Sequence, residues 1–389
     1  MAGSSTRFIR EMRERSERLL KALVNQAFLP NEKKTETRRW PISEAAIAVG
    51  RSRQAIVDAE AGGRLPPPVI ENGRRVGYTL TEINRMREVF RTRPWRDPSE
   101  DPIVLAISNF KGGVAKTTVA THLGEFLAIR GYRVLLVDMD PQASATTTFG
   151  YVPDLDIREE DTILPYFRGQ AQSLRYAVRK TYWDGLDLIP SCLRTFDAEY
   201  EIMGGFQADQ LEILRDGIES VASDYDVVVI DSPPALGLLS LNVLVAANAL
   251  LIPVPPAMYD LYATVSYLRM LEETLALIEQ RLGAVSYKFV KMLISRLDDT
   301  KLAHREVGRL MENTYEKMLL TAKLKDSAEI NNAGVRLYTV YELNKAERSR
   351  KGRERALGLL DQVFGEVEEL ICACWPSRSQ ALKAQGVII

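Results

Sequence analysis

The chain has 389 residues, 46% of them hydrophobic and 26% charged, with 51 Lys+Arg against 52 Asp+Glu. That length exceeds what one hydrophobic core usually fills, so two domains are expected, and no apolar run approaches the ~18 residues of a membrane span. Three cysteines and an amino terminus without an apolar h-region, MAGSSTRFIREMRERSERLL, point to a cytoplasmic protein with buried thiols rather than a disulfide framework or a zinc site.

The near-zero net charge conceals an asymmetry. Residues 1–99 carry 20 Lys+Arg and 12 Asp+Glu, a net +8, which leaves −9 for the remainder. The amino-terminal part therefore has the electrostatic footprint of a nucleic-acid binder. Residues 4–28 read as one amphipathic helix, with Phe8, Ile9, Met12, Leu19, Leu20, Leu23 and Ala27 at near-helical spacing; its apolar stripe requires a partner, either its own domain or a second chain. Pro30 and the polar run NEKKTETRR end it. We delimit this helix as residues 1–30.

Residues 38–92 form the next unit. ISEAAIAVGRSRQAIVDAEAGGRL predicts a short helix with Ala45, Ala46 and Val49 inward, a turn at Gly50, and a second helix with Ile56 and Ala59 inward. This is the layout of a helix-turn-helix, in which the second helix presents Arg51, Ser52, Arg53, Gln54 and Asp58, residue types suited to base edges in the major groove. Asn72-Gly73 between short extended runs signals a hairpin, a wing that would bring Arg74 and Arg75 near phosphates. TLTEINRMREVF closes the module, and RTRPWRDPSED reads as a linker over 93–101.

From residue 102 to 375 strands and helices alternate. IVLAIS, RVLLVDMD, DVVVIDSPP, ALLIPVPP and KFVKMLIS are apolar runs separated by helices, the pattern of a mostly parallel sheet covered on both faces, and 376–389 is left as a tail. After the first run comes FKGGVAKTT, Phe110 to Thr118. It is phosphate-loop-like, yet Phe110 and Ala115 occupy positions where GxxxxGK[ST] has glycine, and Lys111 is extra. Gly112 and Gly113 allow close backbone approach, with Val114, Ala115 and Thr118 completing the cradle; Lys116 would meet the β and γ phosphates and Thr117 would hold Mg²⁺.

KGGVAKTT is similar to the deviant Walker A motif of the ParA/MinD superfamily. That resemblance implies a P-loop ATPase fold using ATP/ADP and Mg²⁺, in which Lys111 reaches across a homodimer to the partner's nucleotide. VLLVDMDPQAS resembles the superfamily's second motif, which makes Asp140 the residue that positions the attacking water and Asp138 its support. VVVIDSPP resembles the Walker B strand, which assigns Asp231 to Mg²⁺. LISRLD and KLKDSAEINNAG are similar to the base-pocket regions and implicate Ser295, Arg296 and Lys323 to Asp326, Lys325 among them. The fullest likeness is to long plasmid-partition ParA proteins and RepA proteins of repABC replicons, which implies a dimerising first helix, a winged module bound to operator DNA, a centromere-binding ParB-type partner that stimulates hydrolysis, and nucleoid association in the cytoplasm.

NKAERSRKGRERAL places Lys345, Arg348 and Arg355 on one helical face, with Arg350, Lys351 and Arg353 beside it. This is either a solvated helix or a surface for nonspecific DNA, which Lys301, Arg305 and Arg309 would extend. Three rivals share the loop. A MinD-like membrane ATPase would end in a basic amphipathic helix, unlike CWPSRSQALKAQGVII. An iron–sulfur electron carrier would need cysteines that this chain does not place, and a nucleotide-sensing transcriptional repressor would bind ATP without turning it over.

Overall fold

The computed structural model describes residues 5–27, 34, 38–153, 156–201, 208–343 and 350–379. Helix α1, Ser5–Ala27, stands apart with Phe8, Ile9, Met12 and Leu19 all more than half exposed. The next unit folds as its turn residues dictate. Helix α2, Ile42–Val49, stops at Gly50, whose φ of 67° is the left-handed conformation that lets its N–H reach back to the helix carbonyls. Ser52 then caps helix α3, Arg53–Ala61, by accepting from the Ala55 N–H. Strands β1, Ile70–Glu71, and β2, Arg74–Arg75, pair antiparallel around Asn72 and Gly73, both at positive φ as a two-residue type I′ turn needs. Thr79 and Glu82 form a capping box at the start of helix α4, Leu80–Phe90, which buries Leu80, Ile83 and Met86.

The larger domain is built on a seven-stranded sheet. Its strands are β3 (Ile103–Ile107), β4 (Val134–Asp138), β5 (Arg179–Lys180), β6 (Leu186–Ile189), β7 (Val227–Asp231), β8 (Ala249–Val254) and β9 (Phe289–Ile294), in the order β5-β6-β4-β7-β3-β8-β9. Only β5 runs antiparallel. The strands β3, β4, β7 and β8 are buried along their whole length, because helices cover both faces. The helices are α5 (Lys116–Arg130), α6 (Ser144–Thr148), α7 (Leu164–Phe167), α8 (Asp197–Glu201), α9 (Ile213–Glu219), α10 (Leu238–Ala246), α11 (Met258–Leu282), α12 (Leu302–Tyr315), α13 (Ala328–Val335) and α14 (Arg350–Ala373).

The five apolar runs of the sequence are β3, β4, β7, β8 and β9. Strands β5 and β6 were not anticipated: two and four residues, one with an aspartate, are too short to show a period. The amino-terminal module does not hang from a free linker. Trp40 meets Trp183 edge-on at 6.2 Å, and Arg96, 6% exposed, bonds to Asp226 and to the carbonyl of Tyr225. Cys192 is buried while Cys372 and Cys374 are half-buried, and all three thiols are free. No helix is long and apolar enough to cross a membrane, and no metal-binding group of three or more His, Cys, Asp or Glu occurs, both among the described residues.

Candidate active site

The register of the sheet assembles the site. Asp138, the last residue of β4, lies directly opposite Asp231, the last residue of β7, and Asp231 lies opposite Ile107, the last of β3, from which the glycine loop departs. Three strand ends therefore deliver two carboxylates and a phosphate cradle to one crevice at the carboxyl edge, where open α/β sheets bind ligands. The cleft there measures about 510 Å³ and is lined by Gly112, Gly113, Ala115, Lys116, Thr117, Thr118, Asp140, Arg296 and Lys325, with Leu324, Ile330 and Asn331 at its other end.

The two departures from the usual loop pattern have local reasons. Phe110 packs edge-on against Tyr267 at 4.8 Å, so the loop's entry is pinned by an aromatic contact instead of a glycine turn. Ala115 adopts φ 78°, ψ 25° as it caps α5, a conformation that costs an alanine ~1–2 kcal/mol and is the reason glycine is common there. The surroundings hold the loop regardless. Ser295, fully buried, donates from Oγ to the Val114 carbonyl at 2.9 Å, and Arg296 donates to the Gly113 carbonyl at 2.7 Å. Ser295 thus braces the loop from beneath and does not line the cleft, whereas Arg296 and Lys325 do.

Lys116 is buried and donates to the Lys111 carbonyl at 2.9 Å; burial lowers its pKa while Asp231 and Asp140 pull it back up. Lys111 forms an ion pair with Asp260 in the first turn of α11, a partner that no sequence motif revealed. Asp138 is fully buried and accepts from the Thr146 N–H at 2.8 Å, the Thr146 hydroxyl at 2.7 Å and the Asp140 N–H at 3.1 Å. Burial nevertheless pushes it up to about 7. Asp138 is therefore a structural anchor for the turn that carries Asp140, and Asp140 itself faces the cleft.

Asp231 is the least satisfied group. It is fully buried and neither carboxylate oxygen has a well-formed hydrogen bond. Burial, with Asp138 adding to it, raises its pKa well above the ordinary range, while the adjacent Thr117 hydroxyl and Lys116 act the other way. Two orphaned carboxylate oxygens beside a threonine hydroxyl under a phosphate loop fit a hard divalent cation such as Mg²⁺. Thr117 and Asp231 are the residues that would hold it.

The residues expected to meet DNA are dispersed. Arg53, Gln54 and Arg74 are exposed, Ser52 caps α3, and Gln54 also bonds to Asp58. Arg51 donates to the Phe90 carbonyl at 3.2 Å and Arg75 pairs with Glu60 at 2.7 Å, while both stay exposed alongside Arg53 and Arg74. Lys351 and Arg355 are exposed on α14, where Arg350 is the first residue; Lys345 and Arg348 lie outside the described residues. Lys301, just before α12, and Arg305 and Arg309 along it are exposed.

A parallel sheet with a phosphate loop after one strand and acidic residues at the ends of two neighbours defines a P-loop nucleotide hydrolase. Residues 103–283 match a family model described as an AAA domain. Protein SopA of Escherichia coli strain K12 is 40% identical over 354 residues, spanning 88% of this chain and 91% of that protein. A solved structure described as a partition protein shares the fold with a TM-score of 0.65 at 21% identity, covering 93% of this chain and 98% of that one. Cobyrinic acid a,c-diamide synthase from Mycobacterium smegmatis, solved with an ATP analog and magnesium, has a TM-score of 0.51 at 28% identity over 67% of this chain and 95% of its own. The chain belongs to the ParA family of partition ATPases.

Proposed function

We propose that this chain is a DNA-partition ATPase that pairs on ATP, holds bulk DNA in that state, and in its ADP or nucleotide-free state represses its own operon through the winged module. The observation that carries the reading is one cleft lined by Lys116, Thr117 and Asp140, with Asp231 buried at a neighbouring strand end and Lys111 opening the same loop, beside a second, basic module. Lys116 neutralises the β and γ phosphates of its own subunit's ATP. Lys111 leaves Asp260 on pairing and reaches the partner's nucleotide, where its charge acts at the transition state as an arginine finger does. Asp140, held at the cleft by the Asp138 turn, orients the attacking water. Thr117 and Asp231 would hold Mg²⁺, which would supply charge neutralisation at the phosphates.

Arg53, Gln54 and Arg74 meet operator DNA, and the basic residues of α12, α14 and the segment before it meet phosphates without reading sequence. A ParB-type centromere-binding protein stimulates hydrolysis and so releases the DNA-bound dimer. The reading is tested by ATP turnover with and without nonspecific DNA and the protein encoded next to this gene. Low basal turnover, raised by both and lost in Lys111→Ala and in Asp140→Ala, is the expected result. No turnover under any combination, with ATP still altering binding to the upstream DNA, would replace this reading with a nucleotide-sensing repressor.

A further inference from the structure

Helix α5 begins at the phosphate-binding Lys116 and ends against the basic module. The last turn of any helix leaves carbonyls without intrahelical partners, and here side chains from outside the ATPase sheet take two of them. Arg87 of α4 donates from Nη2 to the Ile129 carbonyl at 2.6 Å. Trp95 Nε1 and Arg93 Nη1 donate to the Gly131 carbonyl at 3.2 and 3.4 Å. A cation at a helix carboxyl end also complements the helix dipole.

Arg87 is only 2% exposed and is fixed on its own side as well, by Asn84 Oδ1 at 2.7 Å and by the Ala48 carbonyl of α2 at 3.2 Å. Burial lowers its pKa to about 10, so it remains a cation at neutral pH. The fit is close: a Cβ added at Gly131, which sits at φ 105°, would lie 2.9 Å from Arg87 Nη1. One guanidinium therefore touches α2, α4 and the end of the phosphate helix together.

We propose that the Arg87, Arg93 and Trp95 cap on α5 is the joint through which the basic module senses nucleotide. Helix α5 has 15 residues, of which 11 are buried, and at ~1.5 Å per residue it is a rod of about 22 Å. Packed interiors transmit displacement with little give, so a shift of Lys116 and Thr117 as phosphates enter reaches Ile129 and Gly131. There it alters the seat of α2 and α4, the helices that position α3. Arg87, Arg93 and Trp95 are positioning residues in this scheme and touch neither ligand.

The inference rests on the proposed reading that the module binds operator DNA. Linkage supplies the test, because the factor by which ATP changes operator affinity must equal the factor by which operator changes ATP affinity. Affinities for a fluorescent ATP analogue and for the duplex upstream of the gene would be measured, each with and without the other. The full chain would be compared with Arg87→Met and Trp95→Phe. The phenylalanine keeps an aromatic ring, though a smaller one, beside Arg133 and Arg93 and removes the N–H that bonds to Gly131, so it tests the joint even if Arg87→Met melts early.

The wild-type coupling factor, expected within roughly 5- to 150-fold, should fall severalfold toward 1 in both variants while each ligand's affinity alone changes by less than about threefold. Undiminished coupling in a folded Trp95→Phe and a folded Arg87→Met overturns the joint and leaves operator binding intact. No binding of the upstream duplex by wild type overturns the operator reading, and the joint with it.

Discussion

The buried carboxylate of Asp231 shows how a functional residue can cost stability. Its two unpartnered oxygens are an uncompensated polar burial until a cation arrives. An Asp231→Asn substitution is expected to raise the thermal midpoint of the nucleotide-free protein, a gain of about 1 kcal/mol, because it removes the cost at neutral pH of a carboxyl whose charged form burial disfavours. The same variant should lose magnesium-dependent turnover, and a lowered midpoint would contradict this view of the site. His122 makes the opposite case. It is fully buried on α5, with Nδ1 2.8 Å from the Thr118 carbonyl and Nε2 accepting from the Val340 N–H at 3.2 Å, a pair of bonds that only the neutral Nδ1–H tautomer satisfies. Burial pushes its pKa down to about 4. The unfolded chain therefore binds the proton first as pH falls. The stability involved is fully present above about 6.5 and lost progressively toward 4, a loss of about 3 kcal/mol at most. Thermal melts between pH 7 and 4 should be flatter for His122→Gln than for wild type; parallel curves would show that the ring titrates normally.

At the level of elements, the sequence made visible whatever has a local cause. The loop after β3, the aspartates ending β4 and β7, the left-handed Gly50 and the Asn72-Gly73 turn each follow from residue chemistry within a few positions. What was hidden depends on tertiary placement. Nothing near Asp260 marks it as the partner of Lys111, and Ser295 looks like a ligand residue until the sheet places it beneath the loop. Likewise Arg93, Trp95 and Arg96 read as linker because proline and charge dominate there, yet each bonds across to the larger domain. Lys34 is a similar surprise, a lysine paired with Glu342 at 2.8 Å and enclosed by the rings of Tyr182 and Tyr338. Helix α1 is the element whose structure most needs a partner, since its exposed Phe8, Ile9, Met12 and Leu19 form a stripe with nothing of its own chain over them among the described residues. With α1 as a dimer contact separate from the proposed ATP-dependent pairing, removal of residues 1–27 is expected to lower the mass of the nucleotide-free protein from dimer to monomer in light scattering. An unchanged mass would show that the stripe is not the dimer contact.

For the whole molecule, the charge asymmetry separates the two DNA surfaces we propose. The net +8 of residues 1–99 and the exposed basic residues of α12 and α14 lie in separate parts of the chain. Binding to random-sequence duplex in the presence of ATP should weaken steeply with salt. The double variant Lys351→Ala, Arg355→Ala should lower the slope of log affinity on log salt by about 0.9 for each phosphate contact removed. An unaltered slope would place the nonspecific surface elsewhere.

The central claim is that each ATP site is completed by Lys111 of a second copy, and mixing two inactive variants tests it most directly. In a dimer of Lys111→Ala with Asp140→Ala, the first subunit keeps its own Asp140 and receives Lys111 from its partner. Random pairing would make half the dimers mixed, each with one whole site, so turnover should return to about a quarter of wild type in a two-fold dimer. Activity that stays at the level of the separate variants, while mixed dimers demonstrably form, would contradict action across the dimer and confine Lys111 to its own subunit.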